Sequence, residues 1–402
     1  MGSYAGLNIK KKEILCWKNG LASFVRKLFT KEDLLDLTGE EAAATSQELG
    51  LGYSEDYFDT TRLIIGVSDV KTIRQRLLIC GFSLEYAKQI FNEVVEKAES
   101  FFEDAAVDMK EYYREELSKI KNTVNLSRKL NKISYDRWND GISDYIDDWA
   151  LFLSYIYNYS LQDEDEVVLD LTELINGGWL DDDSDFSKKD FILLKDAIIS
   201  DLPIILTEGV TDRNILSKAF KIFYPELVHY IKFLNQDFKP EGGAAGILKM
   251  ARSFASAGIS NRILVILDND TAAMSTIKTF GNRYPCNIKV TTYPYNINLK
   301  EYPTIGPQGE TRMDVNGLAG SIEMYTGSKA LTDEAGAIEK IQWTGYIENV
   351  KQYQGSLINK VAVQKRFYGL TDESIKNSSD LQIVCDHIIE ELGRIPSVNA
   401  SI

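Results

Sequence analysis

Residues 203–212 read PIILTEGVTD and residues 262–271 read RILVILDNDT. Each is a short aliphatic run that stops abruptly at acidic side chains. A run that is apolar at successive positions suits a strand covered on both faces, because a half-exposed strand would alternate. Two further runs, VHYIKF at 228–233 and NIKVTT at 287–292, belong to the same series. Between them, DRNILSKAFKIF, AAGILKMARSFASAG and AAMSTIKTFGN have the composition and spacing of helices. Strands alternating with helices predict βαβ units and a parallel sheet flanked by helices, an α/β fold. Ligands of such sheets sit beyond the carboxyl ends of the strands, and that is where the acids are.

The first run leads straight into Glu208-Gly209-Val210-Thr211-Asp212, with a helix expected near Arg213. Gly209 offers a tight turn with positive φ. The helix start behind it favours a nearby anion, and Asp212 reads as its N-cap. The third run ends in Asp268-Asn269-Asp270. Carboxylates at i and i+2 of an extended chain point to one side, so both can face one cation. Acids capping a buried strand cost desolvation unless something positive compensates. A divalent cation held by Glu208, Asp268 and Asp270, with Asp212 as a further ligand, is the economical answer. Between these lies Glu241-Gly242-Gly243-Ala244-Ala245-Gly246, opening a helix that carries Lys249 and Arg252. Its bare amides could cradle a phosphate or simply make a tight connection; the spacing fits neither a P-loop nor GxGxxG.

The 402 residues carry 45 Lys+Arg against 60 Asp+Glu, a net charge of −15, which argues against a general nucleic-acid binder. The average hides an asymmetry. Residues 163–187 hold ten acids and no base, whereas residues 201–300 hold twelve Lys/Arg against eight Asp/Glu. Arg213, Lys249 and Arg252, in this basic segment, are the candidates for gripping a phosphate backbone. Two histidines, His229 and His387, have neither the flanks of a Ser–His–Asp hydrolase nor a partner for a histidine-rich metal site. The four cysteines (Cys16, Cys80, Cys286, Cys385) lie far apart with no CxxC pair, so neither zinc nor a disulfide framework is expected. No apolar stretch reaches the roughly 20 residues of a membrane helix. The opening MGSYAGLNIKKK has no apolar core of a secretory signal, so a cytoplasmic protein is expected.

Length suggests two or three domains. Residues 1–80 read as a small mixed α/β region. Residues 81–162 carry a 3.6-residue apolar period and read as helical. The acidic stretch 163–200 reads as a solvated linker, with Asp181-Asp182-Asp183 as a weak cation candidate. Residues 201–330 hold the α/β sheet, and 331–402 read as an α-rich extension.

The pair Glu208-Gly209-x-x-Asp212 and Asp268-x-Asp270, about 60 residues apart, resembles the Toprim domain shared by topoisomerases, bacterial primases and OLD-family nucleases. A narrower likeness spans most of the chain. MGSYAGLNI, the segment Asp314–Tyr325 (DVNGLAGSIEMY) and Gln342–Tyr346 (QWTGY) resemble bacterial HEPN/Toprim-associated proteins, thought to act in anti-phage conflict. The resemblance implies a Toprim-like Rossmannoid sheet with a mostly helical, HEPN-like N-terminal domain. It implies that Glu208 is a metal ligand or general acid/base and that Asp268 and Asp270 are the paired metal-binding aspartates. Glu323 resembles a further acidic ligand, and Lys300 is the candidate for a lysine that neutralises transition-state charge. The expected activity is Mg²⁺- or Mn²⁺-dependent cleavage of DNA or RNA, tRNA among the substrates. A partner ATPase or sensor subunit and homo-oligomerisation are further expectations. HEPN ribonucleases use Arg-x4-His, which this sequence lacks, so that activity is not inferred. No tyrosine carries a topoisomerase motif, and the zinc cysteines of primases are missing. The rival expectation is a non-catalytic adaptor that keeps the sheet as a scaffold for a partner protein.

Overall fold

The computed structural model describes residues 2–22, 24–25, 28–103, 148–157, 161–180, 202–234, 242–281 and 283–396. The chain divides into two compact units, Met1–Leu78 with Phe82–Ser200, and Ile79–Gly81 with Asp201–Ile402.

In the first unit, strands β1 (Tyr4–Ile9), β2 (Lys12–Lys18), β3 (Leu34–Thr38), β4 (Arg62–Asp69) and β5 (Glu166–Asp170) form an antiparallel sheet in the order β2-β1-β5-β4-β3. Helix α1 (Gly39–Leu49) packs Ala42 and Leu49 against Leu63, Ile65 and Val168. Helix α2 (Leu84–Glu103) follows the predicted 3.6-residue period, and α3 (Asp148–Ile156) places Trp149 edge-on to Phe82. Two expectations are corrected here. The described part of this unit is built round a five-stranded sheet, not mostly helices. The acidic stretch is no simple linker either, because residues 166–170 (EVVLD) supply the central strand β5. Val167, Val168 and Leu169 are buried, so their apolar side chains decide the placement over the flanking acids. The Asp181–Asp183 triplet and the middle of the helical segment lie outside the described residues.

In the second unit, β6 (Ile204–Thr207), β7 (Lys232–Phe233), β8 (Ile263–Leu267) and β10 (Ile288–Thr292) form a wholly parallel sheet, order β10-β8-β6-β7. All five residues of β8 are buried, as a central strand covered on both faces requires. On one face Ile263, Val265 and Leu267 meet Ile247, Leu248 and Ala251 of α5 (Gly243–Ser256) and Ala273 of α6 (Thr271–Phe280). Helix α4 (Val210–Phe223) buries Ile215, Leu216, Ala219 and Phe220 and packs on β6 and on α8 (Leu381–Gly393). The run 228–233, expected to be a strand, is mostly a 3-10 turn, Pro225–Tyr230, and only Lys232–Phe233 pairs with β6. Proline at the head of that turn fixes a helical φ.

The extension expected at 331–402 is not separate: it belongs to the same compact unit, and its helices stand beside two strands. Strands β11 (Tyr302–Gly306), β12 (Gly309–Met313), β14 (Ile341–Ile347) and β15 (Gln352–Leu357) make a second sheet, order β12-β11-β14-β15. A two-residue ladder, β9 (Asn269–Asp270) with β13 (Ala319–Gly320), ties the Asp268-x-Asp270 tip to the segment that follows. That contact requires glycine: a Cβ at Gly320 would stand 2.8 Å from the Asn269 carbonyl oxygen.

Candidate metal centre

Adjacent strands β6 and β8 end in Glu208 and Asp268, so two sequence positions 60 apart become neighbours. The Asp268 amide donates to Glu208 Oε1 at 2.8 Å. A second amide, that of Ala244 in the first turn of α5, also donates to the Glu208 carboxylate. The Gly243 amide donates to the Glu208 carbonyl at 3.1 Å. The glycine run at 242–246 therefore brings the start of a helix onto Glu208, and its first amides serve that residue.

Asp212 sits in the first turn of α4 and is buried, accepting a 2.8 Å hydrogen bond from the Tyr293 hydroxyl at Oδ1. It is not the N-cap; Gly209 is, with an extended backbone at φ −145°. The expected positive φ is absent. A Cβ at Gly209 would lie 3.2 Å from Asp212 Oδ2, a tight contact to which that carboxylate would have to yield. The true capping acid is Asp270, whose Oδ1 accepts from the Ala273 amide at 2.8 Å and whose Oδ2 accepts from Gln354 Nε2 at 2.9 Å. Asp268 is the opposite case: its Oδ1 is buried and has no hydrogen-bond partner.

Burial dominates the electrostatics. It pushes the Glu208 carboxyl from the ordinary 4.5 up to about 7, with Asp270 and Asp212 adding repulsion and the two amides opposing it. Asp212 rises from 3.8 to about 6, through burial and the charge of Glu323 against the Tyr293 hydroxyl and Lys360. Asp268 rises well above the carboxylate range, through burial first and then the charges of Asp212 and Glu208. Four acids thus act on one another at the strand tips.

Glu323 joins from the 3-10 turn Ile322–Tyr325, held beside the tip by the β9–β13 ladder. It is buried, accepts from Gln364 Nε2 at 2.7 Å and lies 3.8 Å from Lys360 Nζ. Lys360 and Gln364 are one turn apart on α7 (Lys360–Gly369), the spacing that lets both reach one carboxylate.

Lys360, not Lys300, is the cation that acts on Asp212, Asp268 and Glu323. Lys300 is exposed at the end of the 3-10 turn Ile297–Leu299. Nothing in the local sequence distinguishes Lys360, because only the tertiary docking of α7 brings it in; the same holds for Tyr293 and Gln354. Of the backbone-gripping candidates, Arg213 is half-buried and donates to Asn214 Oδ1 at 3.3 Å, and Lys249 is exposed on α5. Arg252 is exposed, donates to the Phe280 carbonyl and stacks over the Phe280 ring at 4.9 Å, so it helps join α5 to α6.

Do these residues fit a divalent cation? Among the described residues, no three His, Cys, Asp or Glu side chains form a ready-made ligand cage. Both Asp270 oxygens already accept hydrogen bonds from the protein. The donor set nevertheless fits a hard cation: oxygen ligands only, several acids to one lysine, and a buried carboxylate oxygen left without a partner.

The fold and site define an α/β protein with a buried carboxylate cluster at the tips of a parallel sheet. Residues 1–192, a little under half of the chain, match the family described as HEPN/Toprim N-terminal domain 1, which supports a HEPN/Toprim-associated domain protein. No curated protein and no solved structure matches the chain. The matched residues end before β6, so the carboxylate cluster rests on its own geometry. Among the described residues no helix is long and apolar enough to cross a membrane.

Proposed function

We propose that the protein is a Mg²⁺- or Mn²⁺-dependent nuclease that hydrolyses phosphodiester bonds of DNA or RNA on a Toprim-like sheet. The observation that carries this reading is the unpartnered, buried Asp268 Oδ1 amid Glu208, Asp212 and Asp270. A native fold seldom retains a buried charge cluster without a compensating partner. The N-terminal family match supports the same direction, since its description couples HEPN and Toprim, both terms associated with nucleic-acid cleavage.

Glu208, Asp268 and Asp270 would hold the metal, with Asp212 and Glu323 behind them. When bound, the metal would polarise the scissile phosphate and lower the pKa of an attacking water. Tyr293 keeps Asp212 oriented through its 2.8 Å hydrogen bond. The amides of Asp268 and Ala244 fix the Glu208 carboxylate against the strand tip. Lys360 would meet negative charge building on the phosphate, the role earlier considered for Lys300. Arg213 and Lys249 would contact the backbone on either side. The family likeness supports an effector of anti-phage defence working in the cytoplasm, with a separate ATPase or sensor chain as its trigger.

The test is incubation of wild type and Asp268→Ala with plasmid, single-stranded DNA, total RNA and tRNA, with and without Mn²⁺. Mn²⁺-dependent cleavage lost in Asp268→Ala is the expected result. Equal cleavage by a folded Asp268→Ala protein would refute the assignment, and cleavage of nothing by wild type would favour the adaptor.

A further inference from the structure

The segment QWTGY at 342–346 has no role in the metal centre, yet the fold places it beside Asp270. Strands β14 and β15 form a hairpin in which Tyr346 faces Tyr353, and both are exposed, at 49% and 61%. Their ring centroids lie 5.1 Å apart at 71°, and Trp343 meets Tyr353 at 6.4 Å and 69°. In a regular strand Trp343 and Tyr346 would point to opposite faces, being three residues apart. The pairing slips by one residue between Trp343 and Gly345, leaving Thr344 as an extra residue. That bulge turns Tyr346 onto the face of Trp343, so three aromatics form one patch. The same face begins at Ile341 and Leu357, both buried, and runs out into solvent at the tyrosines.

The patch is held firmly against the metal centre. Gln354, next to Tyr353, donates to Asp270 Oδ2 and accepts from the Ala272 amide at 2.7 Å. The Thr271 hydroxyl donates to the Tyr353 carbonyl at 2.7 Å. At the turn, Asn349 Nδ2 donates to Ser275 and Thr279 of α6, and Lys278 Nζ donates to the Asn349 carbonyl at 2.8 Å. The hairpin therefore moves with α6, the helix that Asp270 caps. Lys278 and Lys351 stand exposed at this end with one acid, Glu348, between the strands.

Exposed aromatics clustered on a rigid hairpin are informative where scattered ones are not. A T-shaped contact covers a single face of one ring of the pair, unlike a stacked pair in which each ring loses a face, and a ring face is what an unpaired base stacks on. We propose that Trp343, Tyr346 and Tyr353 form a stacking platform for unpaired bases of a single-stranded nucleic acid. Lys278 and Lys351 meet its phosphates, and its backbone leads to the Asp268–Asp270 tip. Duplexes keep their base faces buried and gain nothing from the platform. The proposal rests on the nuclease reading for its choice of ligand.

The test separates the two. Fluorescence anisotropy in EDTA, where the metal is removed, measures binding of labelled oligothymidylate, oligouridylate and a matched duplex to the full chain. Wild type is expected to bind a single strand about tenfold or more tighter than the duplex. The Tyr346→Ala/Tyr353→Ala variant is expected to lose about tenfold in single-strand affinity, at roughly 1.4 kcal/mol per tenfold, and none in duplex affinity. Tyr346→Phe/Tyr353→Phe keeps the rings and should bind like wild type; it serves as the reference if the alanine variant unfolds, with Tyr353→Ser as the milder substitute. Tighter binding of the uridylate strand would identify RNA, and of the thymidylate strand DNA. Undiminished single-strand binding by a folded alanine or serine variant, or preference of wild type for the duplex, overturns the platform. Either result leaves metal-dependent cleavage to be judged by the Asp268→Ala assay.

Discussion

Replacing Glu208 by Gln should make the metal-free protein more stable while destroying its proposed activity. In the folded chain burial and neighbouring acids hold the Glu208 carboxyl at about 7, against 4.5 for the ordinary group. Its proton affinity is thus higher folded than unfolded. The fold is favoured most below 4.5, and this contribution is lost as pH rises through about 7. At about 1.4 kcal/mol per pH unit, keeping Glu208 ionised above pH 7 costs roughly 3 kcal/mol. Gln removes the charge but weakens the hydrogen bonds from the Asp268 and Ala244 amides, a loss of about 1 kcal/mol. A net gain of about 2 kcal/mol remains, or roughly 4–8 °C in Tm for a unit of this size. Thermal unfolding in EDTA should show that gain at pH 8 and little of it at pH 5. Saturating Mn²⁺ should reverse the order, because only wild type gains from binding. A Glu208→Gln protein less stable than wild type by the same amount at both pH values would refute the reasoning.

Four other substitutions probe the surroundings. Tyr293→Phe removes the hydroxyl that donates to buried Asp212 and should cost about 1–3 kcal/mol in urea unfolding at pH 8, less at pH 5 where Asp212 is protonated. Gly320→Ala sets a Cβ against the Asn269 carbonyl; it should cost about 1–3 kcal/mol and weaken Mn²⁺ affinity by calorimetry, whereas unchanged affinity would detach β13 from the site. Lys360→Met should lower cleavage tenfold or more with Mn²⁺ affinity retained, whereas Lys300→Met should cleave like wild type.

Much of the parallel sheet is legible in the sequence. The runs 203–207, 262–267 and 287–292 became β6, β8 and β10 within a residue at their starts, because strands buried on both faces write unbroken apolar runs. That made it possible to pair Glu208 with Asp268 before any contact was known. Less visible was whatever depends on docking between distant segments. The charge that meets Asp212 comes from Lys360, 148 positions along, and no local pattern marks it. Gly209 does not take the left-handed backbone expected of it: the chain is extended there, and what crowds the position is the Asp212 carboxylate. In the first unit, the acids of 163–187 surround the apolar side chains of EVVLD, so the charge pattern reads as a connector where the chain forms a central strand.

Crystals soaked in Mn²⁺ and measured for anomalous scattering test the central claim most directly. Metal density is expected in contact with Glu208, Asp268 and Asp270, and lost in Asp268→Asn. Density confined to other sites, or none at these three side chains under saturating Mn²⁺, would contradict it.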